Sequence, residues 1–549
     1  MKQIDLKSFV FFSFIIIFFA TVLRFYKLGE VPHGMTWDEA AIGYNGFAIF
    51  QTRRDEWLNK LPVSFKSFGD YKSPFAIYLN APFTHFFGMN LWAVRLPFAI
   101  AGVFSVVGMI WMTLLLSRLQ FTENQARAIS LSAGALLAFS PWHIHFTRIG
   151  FESGVALCFL IWGISFFILF FELEVSQMRK QKIVRIFWPL IGTLCLVLSF
   201  YTYHSAKIVT PLVLIALITL CWRQVRTKVG ELIAVGSAGL IVLLPLFKDT
   251  FVGNGGNRFG QATIFGQNQS IASLFSEFMS HFFAHFSVTY LVLGETVTLR
   301  HGDGKWGVLL FTEYLLVIIG FLLLFVTLFK ILQQKRKQNT SIQLLLFSVV
   351  WIVFGTLPAA IGTDVPHGNR GLLALPGFIL LTVWGGFYLF NWLAKVRIDQ
   401  NFSGTKGEDH LLVKSVIGML FLFHGFFVLS YLHDYYSTFS KSSAHDFQDG
   451  FIEAFQFASE NEATSDQILI SDTYGQAYIF ALFVRQTNPI WYQGGIMVKY
   501  VYLPKLSISD LERKNTVLIA TPNQIPPDKA DKLVYGSDGE IKFVLIKTK

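Results

Sequence analysis

The sequence predicts an all-α polytopic membrane domain of about eleven transmembrane helices, followed by a small C-terminal α/β domain outside the membrane. Three observations predict it. Of 549 residues 53% are hydrophobic and only 15% charged, too few charges for a soluble chain of this length. Apolar runs recur at close to the ~20 residues that a helix needs to cross hydrocarbon. Beyond residue 431 the composition changes to short β-rich runs separated by turns.

The spans read, in order, as 9–25, 96–116, 129–141, 151–171, 186–202, 208–222, 229–247, 307–329, 342–361, 371–393 and 415–431. The first has a short basic lead, "MKQIDLK", and no small-residue cleavage site after it, so it reads as a retained helix rather than a removed signal peptide. The third is the shortest. With the N-terminus in the cytoplasm, the inside loops carry Arg118 and Arg127, then Arg179, Lys180, Lys182 and Arg185, then Arg223, Arg226 and Lys228. Lys330, Lys335, Arg336 and Lys337 follow, and finally Lys395, Arg397, Lys406 and Lys414. Every short inside loop is basic, as the positive-inside rule requires, and one skipped span would scramble that agreement. The net charge of +10 is thereby a matter of topology, and no nucleic-acid partner is expected. Cys158, Cys195 and Cys221 all fall within spans and offer neither a disulfide framework nor a thiolate metal site.

The outside segments have another character. Residues 26–95 mix Trp, His, Asp, Glu, Lys and Pro, and residues 248–306 hold "GNGGNRFG" and "LRHGDGKWG". The first of these two stretches lacks the strand-to-helix context of a dinucleotide fingerprint and reads as a flexible loop. Short outer turns carry "SPWHIHFTRIGFE", "YTYHSAK" and "GTDVPHGNRG". Polar residues of mixed type thus converge on one side of the membrane, where the chemistry is expected. In residues 432–549, "QILISD", "TVLIAT" and "IKFVLI" read as strands and "GQAYIFALFVRQ" as a helix.

Asp38 and Glu39 stand at a membrane boundary within "TWDE", which is a literal capping box with Thr36 as N-cap and Glu39 three residues on. "HFFAH" places His281 and His285 on one face of a helix but lacks the internal Glu of a zinc-protease motif. His143 and His145 of "WHIH" suit strand spacing better than helix spacing. Arg148, Lys207, Arg300 and Arg370 each lie at the outer end of a span or in an outer turn, where cations also snorkel to headgroups.

The first outer segment continues "LPVSFKSFGDYKSPFAIYLNAPFTHFFGMNLWAVRLPFAIAG". A first helix, an Asp-Glu loop, a Gly-Asp-x-Lys-x-Pro turn, a further helix and Arg-Leu-Pro entering the next span form an ordered set. That set resembles the GT-C class of membrane glycosyltransferases, in the branch of the protein O-mannosyltransferases and the lipid A aminoarabinose transferases (glycosyltransferase family 39-like). The likeness covers residues 9–430 in layout, with its specific motifs in residues 32–102, and "SPWHIHFTR" and "PHGNRGLLALPG" match later outer loops.

The resemblance implies inverting transfer of a sugar from a polyprenyl-phosphate donor to an acceptor hydroxyl on a glycan, lipid or protein, at the outer face of a cell membrane. Such transfer needs a base for the hydroxyl and positive charge or donors at the departing phosphate. Asp38 matches the class's loop carboxylate and is the candidate base, with Glu39 supporting helix capping or acceptor positioning. Lys72 matches the lysine of the Lys-Pro turn and is the candidate phosphate ligand, with Arg148 and Arg370 beside it. Asp70, His143, His204, Lys207 and Arg300 are supporting candidates. Here Ser73 separates Lys72 from Pro74, and Tyr71 stands where relatives carry a carboxylate directly before the lysine. Arg95 is expected to be structural. Some enzymes of the class use a divalent ion at the donor phosphate and others do not; no residue here is assigned as a metal ligand. The alternatives are a polyprenyl-diphosphate oligosaccharide transferase, which typically shows acidic metal-binding clusters, and a transporter, which would place ionisable residues near span midpoints.

Overall fold

The computed structural model describes residues 4–172, 182–253, 255–256, 260, 262–266, 270–334, 340–393, 406–492, 495 and 497–549. The basic loops at 173–181, 335–339 and 394–405, and Asn254 with residues 257–259 of the glycine-rich stretch, lie outside the described residues.

The chain opens with α1 (Leu6–Phe25), α2 (Trp37–Thr52), the hairpin of β1 (Phe65–Ser67) and β2 (Asp70–Lys72), and α3 (Phe75–Phe87). It continues with α4 (Leu91–Arg118), α5 (Glu123–Phe139), the short α6 (Pro141–Arg148) and α7 (Glu152–Glu172). Helices then occupy Lys182–Thr202, Ala206–Leu220, Val229–Phe251, Phe311–Gln334, Thr340–Ala360, Leu375–Leu393 and Lys406–Ser437. A helix therefore lies on each of the eleven expected spans. Among the described residues, eight are long and apolar enough to cross a membrane, and Ile186–Thr202 and Ala206–Leu220 are shorter apolar helices. The remaining one, α5, overlaps the expected third span with 17 residues and is neither among those eight nor among the shorter apolar helices. The last helix continues to Ser437, past the expected end at 431.

Burial sorts the bundle. In Gly368–Asn391, 83% of the apolar window is buried inside the protein, against 6% in Leu6–Phe25 and 11% in Ser415–Ser437. The outer helices leave Phe11, Phe14, Phe421 and Leu422 exposed, the surface expected of helices that face lipid. Between α7 and Lys182–Thr202 the backbones meet at Gly163, where an added Cβ would come within 2.3 Å of Leu196 Cδ2. Small residues let helices approach closely where no hydrophobic force drives them together.

The C-terminal residues form a five-stranded mixed sheet. β3 (Gln467–Ser471) lies parallel between β4 (Tyr500–Leu503) and β5 (Thr516–Ala520); β7 (Ile541–Lys547) pairs antiparallel with β5 and with β6 (Lys532–Tyr535). The three runs read as strands are β3, β5 and β7, and the expected helix spans Tyr478–Arg485. That helix packs on α2. Gly43 makes the approach possible, because a Cβ there would meet Phe483 and Val94 at 2.7 Å. Met35, Ala40, Tyr44, Val94, Phe480 and Phe483 share one core, so the start of α2 is wedged between bundle and sheet.

Candidate active site around Asp38 and Lys72

The expected capping box forms. Thr36 Oγ1 accepts from the Glu39 backbone N–H at 3.2 Å, and the Glu39 carboxylate accepts from the Thr36 backbone N–H at 3.1 Å. Glu39 does more. It is 1% exposed, and Arg95 grips it twice, Nε to Oε1 at 2.6 Å and Nη2 to Oε2 at 3.1 Å, while Gly150 N–H donates to Oε1 at 3.0 Å. Arg95 also donates to the carbonyls of Leu28, Pro32 and Gly34. Glu39 is therefore walled in by its own partners, which corrects the expectation of a catalytic or acceptor-positioning role. Arg95 is structural, as expected. From the other side, Trp37 N–H donates to Gln448 Oε1 at 2.8 Å and His33 Nδ1 meets Asp449 Oδ1 at 2.6 Å. The Asp449 carboxylate holds the His33 pKa above its ordinary value.

Between these anchors Asp38 turns outward to a different partner. Lys72, at the end of β2, forms a salt bridge with Asp38 Oδ1. The hairpin that presents Lys72 pairs Ser67 with Asp70 across a two-residue tip in which Phe68 and Gly69 have φ of 56° and 80°. Positive φ at both tip positions is the type I′ pattern that matches strand twist. Gly69 adopts it freely; at Phe68 it is an outlier for a bulky residue, of the kind that clusters at functional sites. The Lys72 ammonium lies 5.7 Å from the Phe68 ring centre. Behind it, His204 Nε2–H donates to the Tyr71 carbonyl at 3.1 Å, and Lys207 Nζ approaches His204 Nδ1 at 3.3 Å. The structure thus brings Lys72, His204 and Lys207 together. Asp70 stands at the hairpin tip and accepts from Tyr71 N–H at 2.7 Å.

The opposite wall comes from the two later loops. His301 is half-buried, and its desolvation, with Arg300 and Arg370 nearby, depresses its pKa to about 3, while the Asp38 carboxylate acts on it in the opposite sense. At neutral pH His301 is therefore a neutral imidazole, able to donate or accept a hydrogen bond without adding charge. Its ring stacks on His367 at 3.9 Å. His367 in turn fixes Arg370, since its Nδ1 accepts from the Arg370 backbone N–H at 3.3 Å, and His285 Nε2 accepts from His367 N–H at 3.1 Å. The Arg300 guanidinium lies 4.3 Å from the Trp37 ring centre, one residue before Asp38, and its carbonyl faces His145 Nε2 at 3.0 Å. Arg300 thus lies beside the Asp38–Lys72 pair, while Arg370 sits on the far side of the His301–His367 stack with its Nη2 3.9 Å from Asp364 Oδ2.

Arg148 and His143 lie elsewhere. Arg148 is fully buried, and it donates to the carbonyls of Leu23 and Val31 at 2.8 Å, Arg24 at 3.1 Å and Lys27 at 3.2 Å. These are carbonyls in and just beyond the last turn of α1, which have no partner within the helix. His143 Nδ1 meets Arg24 Nη2 at 2.6 Å in the same interior packing. Both depart from their expected roles for the same reason: α6 is a helix, not a strand-like turn, and its inner face packs on α1. Ser140 caps it and Pro141 stands at its start, a signal the two-residue spacing of the histidines obscured. His301, His367, Trp37 and Phe68 are site residues that sequence reasoning did not assign. Among the described residues no group of three or more His, Cys, Asp or Glu side chains is placed to hold a metal ion.

No family model matches the chain, and no curated protein sequence matches it. Solved structures do. ArnT from Cupriavidus metallidurans in the apo state superposes with a TM-score of 0.53 at 11% identity, covering 98% of each chain. The same ArnT bound to undecaprenyl phosphate gives 0.52 at 12% identity, covering 98% of this chain and 97% of that one. The Archaeoglobus fulgidus oligosaccharyltransferase tethered with an acceptor peptide gives 0.50 at 10% identity, covering 100% of this chain and 74% of that one. Over nearly its whole length the chain has the fold these membrane transferases share, the GT-C fold that its first outer segment implied.

Proposed function

We propose that this chain transfers a sugar from a polyprenyl-phosphate donor to an acceptor hydroxyl, with inversion at the anomeric carbon. The observation that carries the reading is the Asp38–Lys72 salt bridge, with the Arg300 guanidinium over the neighbouring Trp37 ring. It is supported by the shared fold with an ArnT that was crystallised with undecaprenyl phosphate. The acceptor oxygen attacks the anomeric carbon while the bond from that carbon to the phosphate oxygen breaks. The acceptor proton passes to Asp38, and the departing polyprenyl phosphate keeps the electron pair. Lys72, Arg300 and Arg370 neutralise charge that grows on the phosphate, where fixed positive groups act most strongly on the transition state. The ion pair also gives the site an order. Without donor, Lys72 occupies the carboxylate; an incoming phosphate competes for Lys72 and leaves Asp38 open to accept a proton.

The N-terminus is placed in the cytoplasm and the C-terminal sheet outside, on the strength of the basic loops. In a cysteine-free background, an impermeant thiol reagent added to intact cells should label Ser509→Cys and spare Arg226→Cys; the opposite pattern would invert the topology. The reaction is tested with purified protein offered either a polyprenyl-phosphate sugar or a nucleotide sugar, with products read by mass spectrometry. Turnover of the lipid donor alone is expected, and use of the nucleotide sugar as direct donor would reject the proposal.

A further inference from the structure

A cleft of about 480 Å³ opens between the β1–β2 hairpin and the C-terminal sheet. Its walls are aromatic: Trp57 and Phe68 from the first long segment face Tyr478, Tyr492, Tyr500 and Tyr502. We infer that this cleft is the acceptor subsite and that its occupant is a saccharide, an inference that rests on the transfer reading above.

Four observations carry it. The cleft is continuous with the candidate centre, because Phe68 lines it and the same ring lies 5.7 Å from the Lys72 ammonium. Its chemistry suits a pyranose, whose C–H faces pack on flat aromatic rings while its hydroxyls need donors and acceptors at the ring edges. One such polar group is present and uncommitted: the Tyr502 hydroxyl is buried without a hydrogen-bond partner.

The cleft is also poor in charge. Among the described lining residues Lys66 is the one charged side chain, and its ammonium is held 4.2 Å from the Trp57 ring centre. Nothing there is built to grip a phosphate, which places the donor on the Lys72 side of Phe68 and the acceptor on the tyrosine side. A peptide would need backbone partners along an extended path, whereas the cleft offers ring faces and side-chain hydroxyls.

The test is equilibrium binding to the full-length protein in detergent, with no donor present. The probes are mannotriose, cellotriose and chitotriose, a Ser/Thr-containing hexapeptide, and undecaprenyl phosphate. At least one trisaccharide should bind saturably, and Tyr478→Ala should weaken it about tenfold or more, the loss expected for one stacking ring. Tyr502→Phe, which removes only the hydroxyl and keeps the ring, should weaken it several-fold with an unchanged thermal transition. Undecaprenyl phosphate binding should be the same in both variants. Failure of all three trisaccharides to bind, binding indifferent to the variants, or preferential peptide binding would each overturn the inference. Loss of lipid binding in the variants would also overturn it, because the cleft would then hold the donor. Since the assay contains no donor, trisaccharide binding without transfer counts against the proposed reaction, and transfer without cleft binding counts against this inference alone.

Discussion

Lys72 reaches back across 34 residues of sequence to pair with Asp38, so one cation and one carboxylate from separate elements meet at the start of α2. The pair predicts that replacing Lys72 affects both halves of the reaction. Lys72→Met removes a charged partner from the phosphate, a loss of about 1.5–3 kcal/mol or roughly 10–100-fold in donor affinity. Turnover should fall as well, because Lys72 no longer neutralises the charge that grows on the departing phosphate. Donor binding measured on the detergent-solubilised protein checks the first effect; unchanged affinity would remove Lys72 from the phosphate site.

Arg370 and Arg148 should part company. Arg370→Ala should weaken donor binding by a similar factor while the protein still folds. Arg148→Ala should leave the donor affinity of the folded protein unchanged and lower its thermal stability, because the buried guanidinium that ties the carbonyls of Leu23, Arg24, Lys27 and Val31 to α6 is lost. A stability scan beside a binding titration on both variants decides the matter.

Glu39→Gln should behave as a stability variant. The substitution removes the charge that balances a fully buried Arg95, and breaking such a pair on one side typically costs about 3–5 kcal/mol. Thermal unfolding should shift down markedly, while the protein that remains folded keeps most of its turnover.

Glu56 predicts a pH dependence. Its pKa rises from the ordinary 4.5 to about 8 in the folded protein, chiefly through burial, so the folded state holds a proton that the unfolded state has released. Stability from this group is therefore fully present below about pH 4.5 and is lost progressively as pH rises through about 8. Glu56→Gln keeps an oxygen for the Trp57 indole N–H and cannot ionise. It should flatten the fall in stability between pH 6 and 9; an unaltered slope would show that Glu56 is not its source.

The long-range architecture was written into the sequence because hydrocarbon imposes it: apolar length marks the spans, and Lys and Arg mark the loops. The Thr36–Glu39 box was legible for a similar reason, since a cap is a local pattern of adjacent residues. Arg148 and Arg370 were not distinguishable by such means. Both precede an apolar stretch, and only the packing of α6 on α1 turns one of them inward. The salt bridge from Asp38 to Lys72 and the stacking of His301 on His367 depend on loops that meet in space, which no spacing rule encodes. β4 and β6, each of four residues, went unread because strands that short carry little periodicity.

The most direct test of the account is turnover of purified Asp38→Asn at saturating lipid donor. The amide keeps the size of the side chain but no longer balances the charge of the buried Lys72, so some stability is lost and the rate is read on the folded protein. The amide cannot take the acceptor proton, and loss of a positioned base typically slows the chemical step ~10²–10⁴-fold. A rate reduced by that factor per folded molecule is the predicted result; wild-type turnover by folded Asp38→Asn would contradict the assignment of Asp38 as the base.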